Sequence, residues 1–339
     1  MKAVFLETAK RVSIKEVANP IRGEDEVLIK VRAASICGSD TAAYKGSNTM
    51  GIFPRILGHE IAGEVLEIPE GNNTGIKVGD RVVIEPYIYC GTCYPCSIGR
   101  TNSCLNLSVI GVFADGGMSE YYTHPIKMVH KAPDIVPWEC LAMSEPLTIA
   151  LHAIHRAGLK KGEHVVITGA GPIGILIALA ALTYGATPIL IDIIDQRLQI
   201  ANDLGVKNTI NSTKEDAVQR ISEITNGRLA EVVIEASGAE EVIKNTINFV
   251  VHTGRVVFVG WPKSKEIPFS TYWMTRKELD IRGSKNSAGE FPEAIELIAD
   301  KKVNVAPLIS KKITIDETPQ VLKDLVDYPN RFLKMCILL

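Results

Sequence analysis

Four cysteines fall within one short stretch of this chain, Cys90, Cys93, Cys96 and Cys104, spaced C-x2-C-x2-C-x7-C. Four thiolates so placed suit a closed tetrahedral zinc site, which holds a loop in shape and does no catalysis. Disulfides fit less well, because the chain has an odd total of 7 cysteines and no sign of secretion. An iron–sulfur cluster also fits less well. The ferredoxin run closes with x3 and a proline, whereas here the last gap is x7 and Leu105 follows.

A second set could form an open metal site: Cys37, His59, Glu60 and Glu145. Three protein ligands and a free position are what a catalytic zinc needs. Each residue also has an ordinary explanation. Cys37 could be a small buried side chain. His59 could be a satisfied core histidine. Glu145, between Ser144 and Pro146, resembles a helix start with Ser144 as cap.

The third candidate is Gly169-Ala-Gly171-Pro172-Ile173-Gly174, a G-x-G-x-x-G run after a strand-like segment and before a helix-like one. Gly169 would allow the tight turn, Gly171 the approach of a pyrophosphate, and Gly174 close helix–strand packing. The helix N-terminus would then face the phosphates. Asp192 ends the next strand-like run, where a carboxylate bonds ribose hydroxyls and repels the 2′-phosphate of NADP. This favours NAD, although Arg197 nearby could admit some NADP.

These residues need a scaffold, and the pattern supplies one. The early part is rich in short β-like runs: Glu26–Ala33, Glu60–Glu67 and Asp80–Glu85. Gly and Asp punctuate them, as in a barrel-like β domain. From about His152 the pattern becomes strand–helix alternation. The expected strands are His164–Thr168, Pro188–Asp192, Glu231–Glu235 and Gly254–Val259, with helices at Pro172–Tyr184 and Gln196–Leu204. That is the signature of a doubly wound parallel sheet. A helix (Phe291–Asp300), a Lys/Val stretch and a terminal strand (Lys334–Leu338) follow. The nicotinamide of a bound dinucleotide would sit against the strand ends near Glu235–Gly238, Val259–Gly260 and Gly283–Ser284.

Composition narrows the partners. The 339 residues suggest about two domains. A net charge of −2 argues against nucleic acid or an anionic membrane surface as partner. The apolar stretch Ile173–Ile194 is interrupted by Gly185, Pro188 and Asp192, so it reads as helix, turn and strand rather than a membrane span. The opening MKAVFLETAKRVSIKEV lacks a secretion signal, which points to a cytoplasmic protein.

Cys37-Gly-Ser-Asp40, Gly58-His-Glu60, the four-cysteine lobe, Gly116-Gly117, Ser144-Glu-Pro146 and Gly169–Gly174 occur in one order. On these motifs the chain resembles the zinc-dependent medium-chain dehydrogenases over nearly its whole length. Glu145 stands where ethanol-type members carry Cys, so the likeness is to the sorbitol, threonine and sugar-acid branch. Ser108–Gly117 and Arg282–Asn286 are similar to bacterial L-galactonate oxidoreductases.

The resemblance implies an α/β fold, with a Rossmann doubly wound sheet (149–287) inserted into a GroES-like β-barrel catalytic domain (1–148 plus 288–339). It implies two zinc ions per chain and NAD. Residues matching the family's ligands are Cys37, His59 and Glu145, with Glu60 able to ligate when water or substrate is absent. Asp40 would orient His59, and Ser39 would receive the substrate proton. The usual relay histidine is replaced by Ala42, and His152 or His155 are possible substitutes. The implied reaction oxidises a secondary alcohol of a sugar acid or polyol, with Lys285 or Arg276 available to an anionic substrate. L-threonine and simple alcohols are alternatives, and a non-catalytic zinc- and NAD-binding sensor is a remote one. Relatives imply a homodimer or homotetramer.

Overall fold

The computed structural model describes residues 1–47 and 53–339. The chain forms two compact units. One comprises Met1–Glu145, Phe291–Lys301 and Val305–Leu339; the other comprises Pro146–Glu290 and Lys302–Asn304.

The first unit is built on the strand Glu26–Ser35 (EVLIKVRAAS). Its Val27, Ile29 and Val31 are buried while Lys30 and Arg32 are partly exposed, the alternation a half-covered sheet requires. It pairs antiparallel with Glu60–Glu67, Tyr121–Pro125 and Lys334–Leu338. The sheet extends through Arg81–Ile84 to Val129–Lys131 on one side and Ile309–Thr314 on the other. Ile29, Leu57, Ile61, Ile84, Met118 and Ile337 pack in one core. Burying each such side chain contributes roughly 1.5–3 kcal/mol. Gly58 precedes His59 with φ 103°, and a Cβ there would lie 2.6 Å from Met118 Cγ. Only glycine fits both the backbone and the space, so this residue sets His59 and Glu60 at the mouth of their strand.

The second unit carries a parallel sheet ordered Asn208–Asn211, Thr187–Asp192, His164–Thr168, Ala230–Glu235, Val250–Phe258, Asp280–Gly283. Its central strands are nearly continuous apolar runs because helices cover both faces. The chain order reverses between His164–Thr168 and Ala230–Glu235, the topological switch point of a doubly wound sheet. The apolar stretch from Ile173 is the helix Pro172–Thr183 followed by the strand Thr187–Asp192. No helix among the described residues is long and apolar enough to cross a membrane.

The strand from Val250 begins four residues earlier than its sequence suggests, because Val250 already pairs with Ala230, an irregularity then separating it from the pairing that resumes at Arg255. The Lys/Val stretch after the helix Phe291–Ala299 leads into an additional strand, Ile309–Thr314.

Candidate active site

In the first unit Cys37, His59 and Glu60 converge, their ligand atoms all within 4.8 Å of one another. Cys37 caps the helix Gly38–Lys45, and Asp40 Oδ2 accepts the Cys37 N–H at 2.8 Å. The helix therefore fixes the thiol, while the strand Glu60–Glu67 fixes the carboxylate. The cluster is buried except around Cys37, which is half-buried.

Charge in this cluster is crowded. Burial opposes protonation of His59, yet the Cys37 thiol and the charges of Asp40 and Glu145 hold its pKa well above the ordinary 6.5. Burial raises Asp40. Burial and the neighbouring Glu60 push Glu145 up to about 7. One buried lysine answers them: Lys334 Nζ lies 2.5 Å from Glu60 Oε1. Ser35 Oγ donates to the other Glu60 oxygen.

Glu145 stands in the first turn of the helix Ser144–Ala157. It lies outside the group of three donors within 4.8 Å and accepts the hydroxyl of buried Tyr87. The structure thus gathers Glu60 with Cys37 and His59, and Glu145, which the resemblance put among the ligands, stands close enough for its charge to act on His59. Ser144 belongs to that helix rather than capping it. His59 Nδ1 and Asp40 Oδ1 are both buried with no hydrogen-bond partner among the described residues. Asp40 acts on His59 through its charge. Ser39 Oγ is likewise buried without a partner among the described residues.

The donor set fits a divalent cation. A thiol, an imidazole with an unpartnered buried nitrogen and a carboxylate meet in one buried place, and excess negative charge surrounds them. Nitrogen, sulfur and carboxylate oxygen are the ligands zinc prefers. Tyr87, Lys334 and Ser35 were not singled out by sequence. Tyr87 is near the cysteine lobe in the chain, but nothing in the spacing ties Lys334 to Glu60.

The four lobe thiols also gather, their sulfur atoms within 4.8 Å of one another. Cys93 and Cys96 Sγ are 3.5 Å apart, Cys93 and Cys104 3.8 Å, and Cys90 and Cys104 3.5 Å. Sulfurs around one tetrahedral zinc are separated by roughly 3.8 Å, given a Zn–S bond of about 2.3 Å. A disulfide needs about 2.05 Å, and all seven cysteines are free thiols. The N–H groups of Thr92 and Cys93 lower Cys90 to about 6, favouring the thiolate a metal takes. Desolvation and the Cys93 thiol push Cys96 up to about 12, a crowding that a bound cation would relieve.

In the second unit Gly169, Gly171, Pro172, Ile173 and Gly174 form the turn into the helix Pro172–Thr183, with Gly171 as its N-cap. A Cβ on Gly174 would lie 1.8 Å from Gly169 O, so helix and turn touch through a position only glycine can fill. Asp192 ends the strand Thr187–Asp192. Its Oδ2 accepts the Ala170 N–H at 2.5 Å, and its Oδ1 accepts from Ile193 and Ile194 at 2.7 and 2.9 Å. Arg197 follows in the helix Asp195–Asp203. Arg276 donates to Tyr272 and lies over Trp273. His152 and His155 Nδ1 lie 2.8 and 3.1 Å from Glu290 Oε1, and His155 Nε2 contacts Tyr184 OH at 2.8 Å.

Two sequence profiles match: an alcohol dehydrogenase GroES-like domain over residues 23–134, and a zinc-binding dehydrogenase over residues 172–300. An uncharacterized zinc-type alcohol dehydrogenase-like protein of Haemophilus influenzae is 52% identical, over 99% of this chain and 98% of its own. The L-galactonate-5-dehydrogenase of Escherichia coli K12 is 36% identical, over 92% and 91%. The crystal structure of rspB, called a short chain alcohol dehydrogenase, from E. coli CFT073 was solved with NADH. It superposes with a TM-score of 0.93 at 32% identity, covering 100% of this chain and 99% of that one. The chain belongs to the zinc-dependent medium-chain dehydrogenases. Its relatives include zinc-type alcohol, polyol and sugar-acid dehydrogenases.

Proposed function

We propose that this chain oxidises a secondary alcohol on a sugar acid such as L-galactonate, or on a polyol, with NAD as hydride acceptor. The reading rests on one observation: Cys37, His59 and Glu60 meet in a buried cluster with Glu145 beside it. The likeness to an L-galactonate-5-dehydrogenase supports an aldonate.

Cys37 and His59 hold the catalytic zinc, with Glu60 and Glu145 as the two carboxylates available to it. Cys90, Cys93, Cys96 and Cys104 hold the structural zinc. When bound, zinc supplies Lewis acidity toward the alcohol oxygen and the nicotinamide accepts hydride. Ser39, with its unpartnered buried hydroxyl, takes the alcohol proton. Ala42 offers no imidazole beyond it, so the proton leaves through water or another side chain. Gly169, Gly171, Pro172, Ile173 and Gly174 cradle the pyrophosphate at the helix N-terminus, while Asp192, with Arg197 near it, serves the adenosine ribose. The catalytic work falls to 1–148 plus 288–339, and dinucleotide binding to 149–287.

We also propose self-association as a dimer or tetramer. The edge strand Asp280–Gly283 is largely exposed, with Tyr272 and Trp273 exposed on the helix Thr271–Arg276 just before it. Exposed edges and apolar surface favour a partner. Light scattering that finds a monomer would overturn this.

The test of function is NADH formation from NAD with zinc, across aldonates, polyols and L-threonine. Turnover of L-galactonate or a close epimer supports the whole reading. Turnover of polyols or threonine alone replaces the substrate. Silence across the panel rejects the proposed reaction.

A further inference from the structure

Glu235 ends the strand Ala230–Glu235 at the switch point of the parallel sheet and is 0% exposed. Its Oε1 accepts the Ser237 N–H at 2.8 Å, the Ser237 hydroxyl at 2.5 Å and the Gly238 N–H at 3.0 Å. The Thr168 hydroxyl reaches it at 3.4 Å from the end of the neighbouring strand. Every one of these donors is neutral. No lysine, arginine or histidine pairs with the carboxylate among the described residues.

The carboxylate also shapes its surroundings. A Cβ on Gly260 would lie 2.7 Å from Glu235 Oε2 and 2.3 Å from Gly238 N, so the Gly260 loop closes tightly on the turn that Glu235 holds. A Cβ on Gly169 would meet Ser237 Cα at 3.0 Å. The turn that Glu235 holds therefore packs directly on the first glycine of the G-x-G-x-x-G run.

Burying a carboxylate with no counter-charge is unfavourable even when it is hydrogen-bonded. A doubly wound sheet holds a dinucleotide across its switch point, one mononucleotide on each half. Asp192 marks the adenosine half. Glu235 ends the first strand of the other half, which leaves it on the nicotinamide side. The oxidised nicotinamide ring carries a positive charge and the reduced ring is neutral. A fixed anion nearby thus distinguishes the two forms by charge alone.

We infer that Glu235 is a positioning residue that sets the Ser237–Gly238 turn against Gly169 and, by its uncompensated charge, tilts the site toward the oxidised dinucleotide. The inference rests on the dinucleotide reading of this unit. It concerns the balance between NAD and NADH, which that reading leaves open.

The test is the dissociation constant of NAD and of NADH, measured separately by calorimetry and NADH fluorescence on zinc-loaded protein. Wild type is compared with Glu235→Gln, which keeps the shape and removes the charge. The expected result is a loss of NAD affinity on the order of tenfold, with NADH affinity falling by no more than about threefold. Equal changes in both constants, or no change in either, would overturn the inference and leave the dinucleotide reading intact. Wild type that binds neither form would reject both. Should Glu235→Gln fail to fold, Ser237→Ala decides the matter. It removes a neutral donor and leaves the charge less screened, so the preference should move further toward NAD. A shift toward NADH, or none, would refute the idea.

Discussion

Lys334 Nζ and Glu60 Oε1 form a fully buried ion pair at 2.5 Å, joining the strands Lys334–Leu338 and Glu60–Glu67 across another strand, Glu26–Ser35. Removing one partner of such a pair leaves an uncompensated buried charge and costs roughly 3–5 kcal/mol. Lys334→Met is expected to destabilise the metal-stripped protein by that order, read by urea denaturation. The double variant with Glu60→Gln should recover part of the loss. A double variant no better than the single would show that packing, not charge, explains the effect.

Two metals per chain are expected by elemental analysis. Cys93→Ser should leave one and lower the melting temperature, because a closed thiolate site contributes folding energy. Glu145→Ala should keep its fold and lose turnover by at least about a hundredfold. Full activity in that variant would remove Glu145 from the site.

Glu290 gives a pH prediction outside the metal cluster. Burial opposes its ionisation, but hydrogen bonds from His152 and His155 and the Ala288 N–H bring its pKa down to about 2, from an ordinary 4.5. A carboxyl with a depressed folded-state pKa stabilises the fold fully above the unfolded value. That contribution is lost as pH falls from about 4.5 toward about 2. The difference in melting temperature between wild type and Glu290→Gln should be largest above pH 5 and should shrink on acidification through this window. A difference that is constant with pH would mean that the carboxylate charge is not responsible.

Gly174→Ala places a methyl 1.8 Å from Gly169 O, so helix or turn must move. Overpacking of this kind costs roughly 1–3 kcal/mol. NADH affinity should fall while zinc content stays unchanged. Unaltered NADH binding would separate this turn from the cofactor.

The parts of the chain that were legible beforehand are those whose signal is local. Glu60–Glu67, His164–Thr168 and Lys334–Leu338 appear with the expected bounds; the first two are short runs with β-branched residues set between Gly58 and Pro69 and between Gly162 and Gly169. Pro172 and the preceding glycines fix the start of their helix for the same reason. The strand Asn208–Asn211 (NTIN) has no apolar alternation and forms because Thr187–Asp192 offers it an edge. Asp280–Gly283 is equally short and polar and depends on its neighbour in the same way. The four lobe cysteines could be grouped from spacing alone, since one loop carries them all. The contacts around the two carboxylates, Tyr87 with Glu145 and Lys334 with Glu60, could not be read beforehand. Those contacts link residues 58 and 274 positions apart, and no local pattern encodes them.

That last separation has a bearing on synthesis. Chains emerge from the ribosome at about 5–20 residues per second. Glu60 therefore waits roughly 15–55 s for Lys334, and the whole dinucleotide unit emerges in the interval. The dinucleotide unit, nearly all of it the run Pro146–Glu290, can complete itself first. The metal-binding unit is translated in separate instalments, and its buried acids stay uncompensated until the last, which carries Lys334, arrives or a metal ion binds.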